Sequence, residues 1–135
     1  MFETTPDVWG PPLWYKMHRA TFVYPETRPT DKDKKNAVEF FTAEVYNDLP
    51  CEKCRKHYRE YLSKYPVEYQ VDSQYSLANW LVNMHNEVNT RTGKKIMSYS
   101  EVADMYTMTM VPELNLYIII AVLTVAIIIA LQFRP

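Results

Sequence analysis

The chain has 135 residues and a formal net charge of -1; aromatic residues make up 14% of it, and it holds only two glycines. That balance excludes an intrinsically disordered chain and gives no basic surface for nucleic acid. Its length allows one modest core of roughly 110 residues, residues 1–110, followed by an apolar tail, residues 111–135.

Met1 to Asp7 is short, acidic and polar, with neither the basic nor the apolar region of a secretory signal. Pro11 and Pro12 then suit the first turn of a helix, along which Leu13, Met17, Ala20 and Tyr24 recur at helical spacing. Trp14 and His18 stand four apart on one face. A lone histidine there is more often a packing residue than a ligand. Pro25 and Pro29 end this helix.

A second helix is expected from Thr30 or Asp31 to Asn47, with Val38, Phe41, Val45 and Leu49 as its core stripe and Phe40 beside them. The run Lys32-Asp33-Lys34-Lys35 reads as its solvated start. Pro50 opens a third helix that carries both cysteines of the chain, Cys51 and Cys54, and continues through Tyr58, Tyr61 and Leu62 to a stop at Tyr65-Pro66. After a polar loop from Val67 to Gln74, a fourth helix from Ser76 to Thr90 has Leu77, Trp80 or Leu81, Met84 and Val88 as its stripe. His85, Asn86 and Asn89 form a polar cluster on it, which either faces water or grips a polar ligand. Gly93 is the expected terminator, with Lys94 and Lys95 beside it. A short fifth helix spans Ser100 to Met108. No alternating strand pattern occurs, so the expected class is all-α, a four-helix bundle with a short fifth helix.

Leu114 to Phe133 is apolar apart from Asn115, Thr124 and Gln132. At about 1.5 Å per residue it would reach roughly 30 Å, the length of a transmembrane helix. The expectation is a C-terminal membrane anchor with the preceding domain on the cytosolic side.

The chemistry centres on Cys51-Glu52-Lys53-Cys54. Arg55 rather than His follows the second cysteine, which excludes c-type haem attachment. A Cys2His2 zinc site using His57 and His85 lacks the usual ligand spacing, yet the residue types allow it. A redox pair needs a thiol of lowered pKa, and a helix N-terminus with Lys53, Arg55 and Lys56 nearby supplies the means. A plain structural pair is the remaining reading.

Four blocks in order carry a family resemblance: Trp9-Gly10 with Trp14, His18 and Tyr24-Pro25; Pro50-Cys51-x-x-Cys54 with His57-Tyr58; Trp80-x4-His85-Asn86-x-Val88-Asn89; and Gly93-Lys94. Together they resemble the Erv/ALR family of FAD-dependent sulfhydryl oxidases, and the short viral members most. The resemblance implies non-covalently held FAD, a homodimer, a dithiol protein substrate such as a thioredoxin-like or shuttle protein, and O2 as final acceptor, giving H2O2. It implies that Gly10, Trp14, His18 and Tyr24 contact the flavin, ribityl or diphosphate region, and that Trp80, His85, Asn86, Val88, Asn89 and Lys94 surround the adenine nucleotide. His57 and Tyr58 would lie behind the catalytic Cys51 and Cys54, with no metal. Members commonly add a second disulfide, whose positions here correspond to Val82 and Tyr99, and a shuttle pair in a tail; this chain has neither. The partner must then reach Cys51 directly, or another protein must supply the shuttle. The alternative from another class is a tail-anchored Cys2His2 zinc-binding adaptor without catalysis, and a third is an anchored interaction bundle.

Overall fold

The computed structural model describes residues 5–107 and 118–126. All regular structure among them is helical. Helix α1 spans Pro6–Phe22, α2 Asp31–Glu39, α3 Val45–Asp48, α4 Glu52–Lys64, α5 Gln74–Thr92 and α6 Tyr99–Thr107. A π-helical turn, Phe40–Glu44, joins α2 to α3, so these three pieces run on as one helix. The result is the expected bundle of four, with α6 as the short fifth member.

The helix starts differ from expectation at three places, each for a local reason. In α1, Pro6 takes the first position, so the helix begins a turn before Pro11. Pro11 and Pro12 fall inside it on an exposed surface, where water can satisfy the carbonyls their missing N–H groups leave free. Pro50 lies outside α4, because Cys51 is extended (φ -104, ψ 121) and serves as the N-cap itself. Helix α5 begins at Gln74 because the Ser73 side chain caps it, accepting from the Ser76 N–H at 3.1 Å. The stops agree with their signals. Gly93 adopts φ 69, a left-handed conformation that glycine takes without Cβ strain.

The main core gathers Met17 from α1, Phe41 and Val45 around the π turn, Tyr58 and Tyr61 from α4, and Leu77, Trp80, Leu81 and Met84 from α5. Its polar atoms are paired across helices. The Tyr61 hydroxyl donates to the Trp80 carbonyl at 3.1 Å, and the Trp80 indole N–H donates to the Tyr65 carbonyl at 2.9 Å. The Tyr58 hydroxyl donates to the Phe41 carbonyl at 2.7 Å, inside the π turn. Such a turn disturbs the regular ladder, and Tyr58 provides a buried partner there. A second apolar cluster, Phe22, Ala78, Val82 and Val102 with Met97 and Tyr99 against it, holds α6 to α1 and α5. Val82 and Tyr99 thus meet the same cluster without a covalent staple.

No helix among the described residues is long and apolar enough to cross a membrane, so the span expected over Leu114 to Phe133 is not supported there. Residues 118–126 are helical, with Ile118, Ile119, Ile120, Val122, Leu123 and Val125 exposed; the rest of the expected span lies outside the described residues.

Replacing Tyr58 with Phe leaves the Phe41 carbonyl buried without its donor. Chemical denaturation should show a loss of about 1–3 kcal/mol; an unchanged midpoint would mean that the π turn does not need this bond.

Candidate active site

The site is built from the N-terminal turn of α4 outward. Cys51 caps this helix with its own sulfur, which accepts from the Cys54 N–H at 3.3 Å. Arg55 fixes the approach to it. One guanidinium nitrogen donates to the Leu49 carbonyl at 2.6 Å, and the opposite edge engages the Glu52 carboxylate at 2.8 and 3.2 Å. The turn Leu49-Pro50-Cys51 is therefore held by a side chain one helical turn further on.

The two thiols are unbridged and electrostatically unequal. Hydrogen bonding from the Cys54 thiol holds the Cys51 pKa below the ordinary cysteine value, with backbone N–H groups of Cys54 and Lys53 and the Lys53 charge adding to it against partial burial. Cys54 moves the other way. Burial first, then its hydrogen bond to Cys51 and the Cys51 charge, push it up to about 11. In the reduced pair Cys51 is therefore the thiol that ionises first.

Cys54 opens into a cavity of about 120 Å³ that Trp9, Trp14, His57, Tyr58, Met84 and Val88 also line. Trp14 is a wall shared with a second cavity, of about 230 Å³, lined by Gly10, His85, Asn89, Lys94 and Tyr106 among others. The Trp14 ring lies flat on His85, with centroids 3.7 Å apart and planes 6° from parallel. His18 sits behind, fully buried, with Nε2 3.0 Å from His85 Nδ1 and its ring stacked on Tyr106 at 4.5 Å. His18 Nδ1 is buried with no hydrogen-bond partner. Burial lowers the pKa of both imidazoles. His18, which also feels His85, falls to about 3, and His85, which also feels the Lys94 charge, falls to about 4.

The structure thus brings Gly10, Trp14, His18, His57, Tyr58, His85, Val88, Asn89 and Lys94 around adjoining cavities next to Cys54. Three expected contacts lie elsewhere. The Tyr24 hydroxyl donates to the Val71 carbonyl at 2.8 Å, and the residue lines a separate groove between α1 and α2. Trp80 is five residues before His85, which at about 100° per residue turns it well away from that ring; it packs in the core against Phe41 and Tyr61. Both polar ends of the Asn86 side chain are engaged with the Met97 backbone. The zinc reading does not assemble either. His85 is stacked on Trp14, and among the described residues no three of His, Cys, Asp and Glu converge on a point that could hold a metal.

Sequence reasoning missed Met84, Arg91 and Tyr106. Met84 was read only as core, Arg91 carried no signal, and Tyr106 reaches the cavity through the packing of α6, which spacing does not show.

A helical bundle with a capping Cys-x-x-Cys pair set against a trough of stacked rings defines a small thiol-redox domain. The Erv1 / Alr family model matches residues 11–107, and the chain belongs to that family. It is 37% identical over 110 residues to a probable FAD-linked sulfhydryl oxidase R368 of Acanthamoeba polyphaga mimivirus, covering 81% of this chain and 76% of the relative. It is 34% identical over 98 residues to the FAD-linked sulfhydryl oxidase of African swine fever virus (isolate Tick/Malawi/Lil 20-1/1983), covering 73% of this chain and 79% of that one. The crystal structure of the yeast Erv1 core shares the fold, with a TM-score of 0.70 at 24% identity over 78% of this chain and 86% of that one.

Two measurements probe these electrostatics. In the reduced protein, Cys54→Ala removes the leading cause of the low Cys51 pKa, so the pH midpoint of Cys51 alkylation should rise; an unchanged midpoint would assign the shift to the helix end and Lys53 alone. The histidines resist protonation when folded, whereas unfolded histidine binds a proton below about pH 6.5. The unfolded state then holds more protons, so stability falls as pH drops from about 6.5 towards the folded values of about 4 and 3. Denaturation at pH 7 and pH 5 should differ by on the order of 4 kcal/mol, about 2 for each histidine, and His85→Gln should roughly halve the difference.

Proposed function

We propose that the chain is an FAD-linked sulfhydryl oxidase that forms disulfides in partner proteins. The observation that carries this reading is the opening of the inner sulfur, Cys54, into a cavity walled by Trp14, which adjoins the His85 and Lys94 cavity.

The residues present fit the cofactor. Flat rings at Trp14 and His85 suit a stacked heterocycle. The unpartnered His18 Nδ1 offers a buried polar contact, and Lys94 offers a cation for an anionic nucleotide. A Cβ added at buried Gly10 would meet no atom within 4 Å, so glycine there leaves room in the cavity it lines. Each cavity is smaller than the roughly 300–1,000 Å³ of ordinary ligand pockets, and a dinucleotide would have to span both and shift the Trp14 ring between them. His57, Tyr58, Val88 and Asn89 complete the proposed cofactor set. When bound, FAD supplies a two-electron acceptor that returns the pair to its disulfide form and passes the electrons to O2, giving H2O2.

In the thiol exchange, a partner thiolate attacks Sγ of Cys51 in the oxidised pair. The Cys51–Cys54 bond breaks, and its electron pair goes to Cys54. In that mixed disulfide Cys51 carries no charge and its sulfur is no longer a thiolate acceptor, so two of the causes that hold the Cys54 pKa high are gone. The partner's second thiolate then attacks the partner sulfur joined to Cys51. The partner leaves oxidised by two electrons, and Cys51 leaves as the thiolate that Cys54 and Lys53 stabilise.

Further parts of the reading are a homodimer and a membrane tether. The groove between α1 and α2, lined by Ala20, Val23, Ala37 and Phe40 with Val23 exposed, supports pairing with a second copy. The apolar run from Leu114 to Phe133 supports a C-terminal anchor, which would keep the enzyme close to membrane-bound partners.

The purified protein should be yellow, with flavin absorbance near about 450 nm, and should consume oxygen with a dithiol. Cys54→Ser should keep the flavin, lose turnover and trap a partner as a mixed disulfide on Cys51. A colourless protein carrying stoichiometric zinc would sink the proposal.

A further inference from the structure

The segment between α5 and α6, residues 93–98, forms a strap along the edge of the Lys94 cavity. Lys94, Lys95, Ile96 and Ser98 are exposed, so burial does little to locate it. Asn86 does. Its Nδ2 donates to the Met97 carbonyl at 2.7 Å, and its Oδ1 accepts from the Met97 N–H at 3.0 Å. One amide side chain thereby satisfies both backbone groups of a residue eleven positions on, as a neighbouring strand would. Among the described residues these are the only side-chain hydrogen bonds from α5 to residues 94–98. Other ties hold the two ends of the strap. The Lys94 N–H donates to the Asn89 carbonyl at 2.8 Å in the cap of α5, and Ser98 with Glu101 caps α6 through bonds of 2.8 and 3.3 Å.

The clasp bears on the cavity from two sides. Lys94 stands at the start of the strap and Tyr106 on the helix that follows it, and both line the cavity that His85 and Asn89 enter from α5. His85 is the immediate neighbour of Asn86. The helix therefore sends one side chain into the cavity and the next across to the strap that closes it.

We infer that Asn86 is a positioning residue for the nucleotide half of the cofactor: by clasping Met97 it holds the strap so that Lys94 and Tyr106 complete the cavity, and it does not contact the cofactor itself. The inference rests on the flavin reading of this cavity. It assigns to two hydrogen bonds a task that apolar packing of α6 performs only in part, because the packing of Met97, Tyr99 and Val102 fixes α6 but leaves Lys94 and Lys95 exposed. Their tips are held by surface ion pairs to Asp7 at 3.5 Å and Glu101 at 2.6 Å, which are worth little in water. The amide is specific for the task. An aspartate would set a carboxylate against the Met97 carbonyl, and a leucine would leave both Met97 groups without their partner.

The test is a double-mutant cycle read as FAD affinity by flavin fluorescence on the full chain. Asn86→Ala and Lys94→Ala should each weaken FAD binding by about tenfold, and the double variant should lose little beyond the weaker single, because freeing the strap already removes Lys94 from its place. A double variant near the product of the two losses, about a hundredfold, would overturn the inference and make Asn86 an independent contact. An unchanged FAD affinity in Asn86→Ala with a lowered melting temperature would overturn it in favour of a role in folding alone. Amide exchange at Met97 in the unsubstituted protein tests the same link without any variant that could misfold. By reciprocity of coupled equilibria, FAD should slow that exchange by about tenfold, and exchange indifferent to FAD would count against the coupling. If the unsubstituted chain binds no FAD, the flavin reading itself fails, which is evident before any substitution is compared.

Discussion

The contact on which the site depends is the one between His18 of α1 and His85 of α5, 3.0 Å apart, with His18 fully buried and His85 half-buried. Two charged imidazoles could not share it: burial lowers the pKa of both, helped by His85 at His18 and by the Lys94 charge at His85. With neutrality assured, one ring nitrogen donates to the other and α1 and α5 are joined at a fixed height. Trp14 lies flat on one ring and Tyr106 on the other, so the same contact sets the position of both of these flat surfaces. The remaining buried nitrogen, His18 Nδ1, is the cost of this arrangement.

The cysteine pair follows a different logic, confined to one helical turn. A cap needs an acceptor for the first N–H groups, and Cys51 meets the need with sulfur. The consequence is chemical, because the group that caps the helix is also the group stabilised as an anion. Cys54, one turn inward and buried, is held as the thiol. Outer and inner sulfur thus acquire separate roles from the geometry of a helix start, without any distant charged residue. Arg55 guards this asymmetry by tying the Leu49 carbonyl to α4.

The strap and α6 show how the chain closes its site without a second disulfide. Apolar packing around Val82, Met97, Tyr99 and Val102 supplies the area, and Asn86 supplies the register. Neither depends on oxidation state. The fold is thereby uncoupled from the thiol chemistry it houses, and Cys51 and Cys54 are left as the only thiols in the protein.

Much of this was legible before any coordinates. Proline, glycine and capping signals placed the helices, apolar periodicity named Phe41, Val45, Leu77 and Met84 as core, and four spaced blocks pointed to the Cys51–Cys54 pair and to most of the residues around the trough. Those signals are local or repeat at a helical period, which is why a linear reading finds them. Tertiary structure alone decided what each polar side chain does with its free atoms. Asn86 was expected at the cofactor and faces the strap, Trp80 was expected there and fills the core, and Tyr106 went unnoticed and lines the cavity. A residue type and its spacing fix which face of a helix it occupies, but the partner across that face comes from another helix far away in sequence, and only the packing of the two determines whether the side chain meets a ligand, a backbone amide or the core.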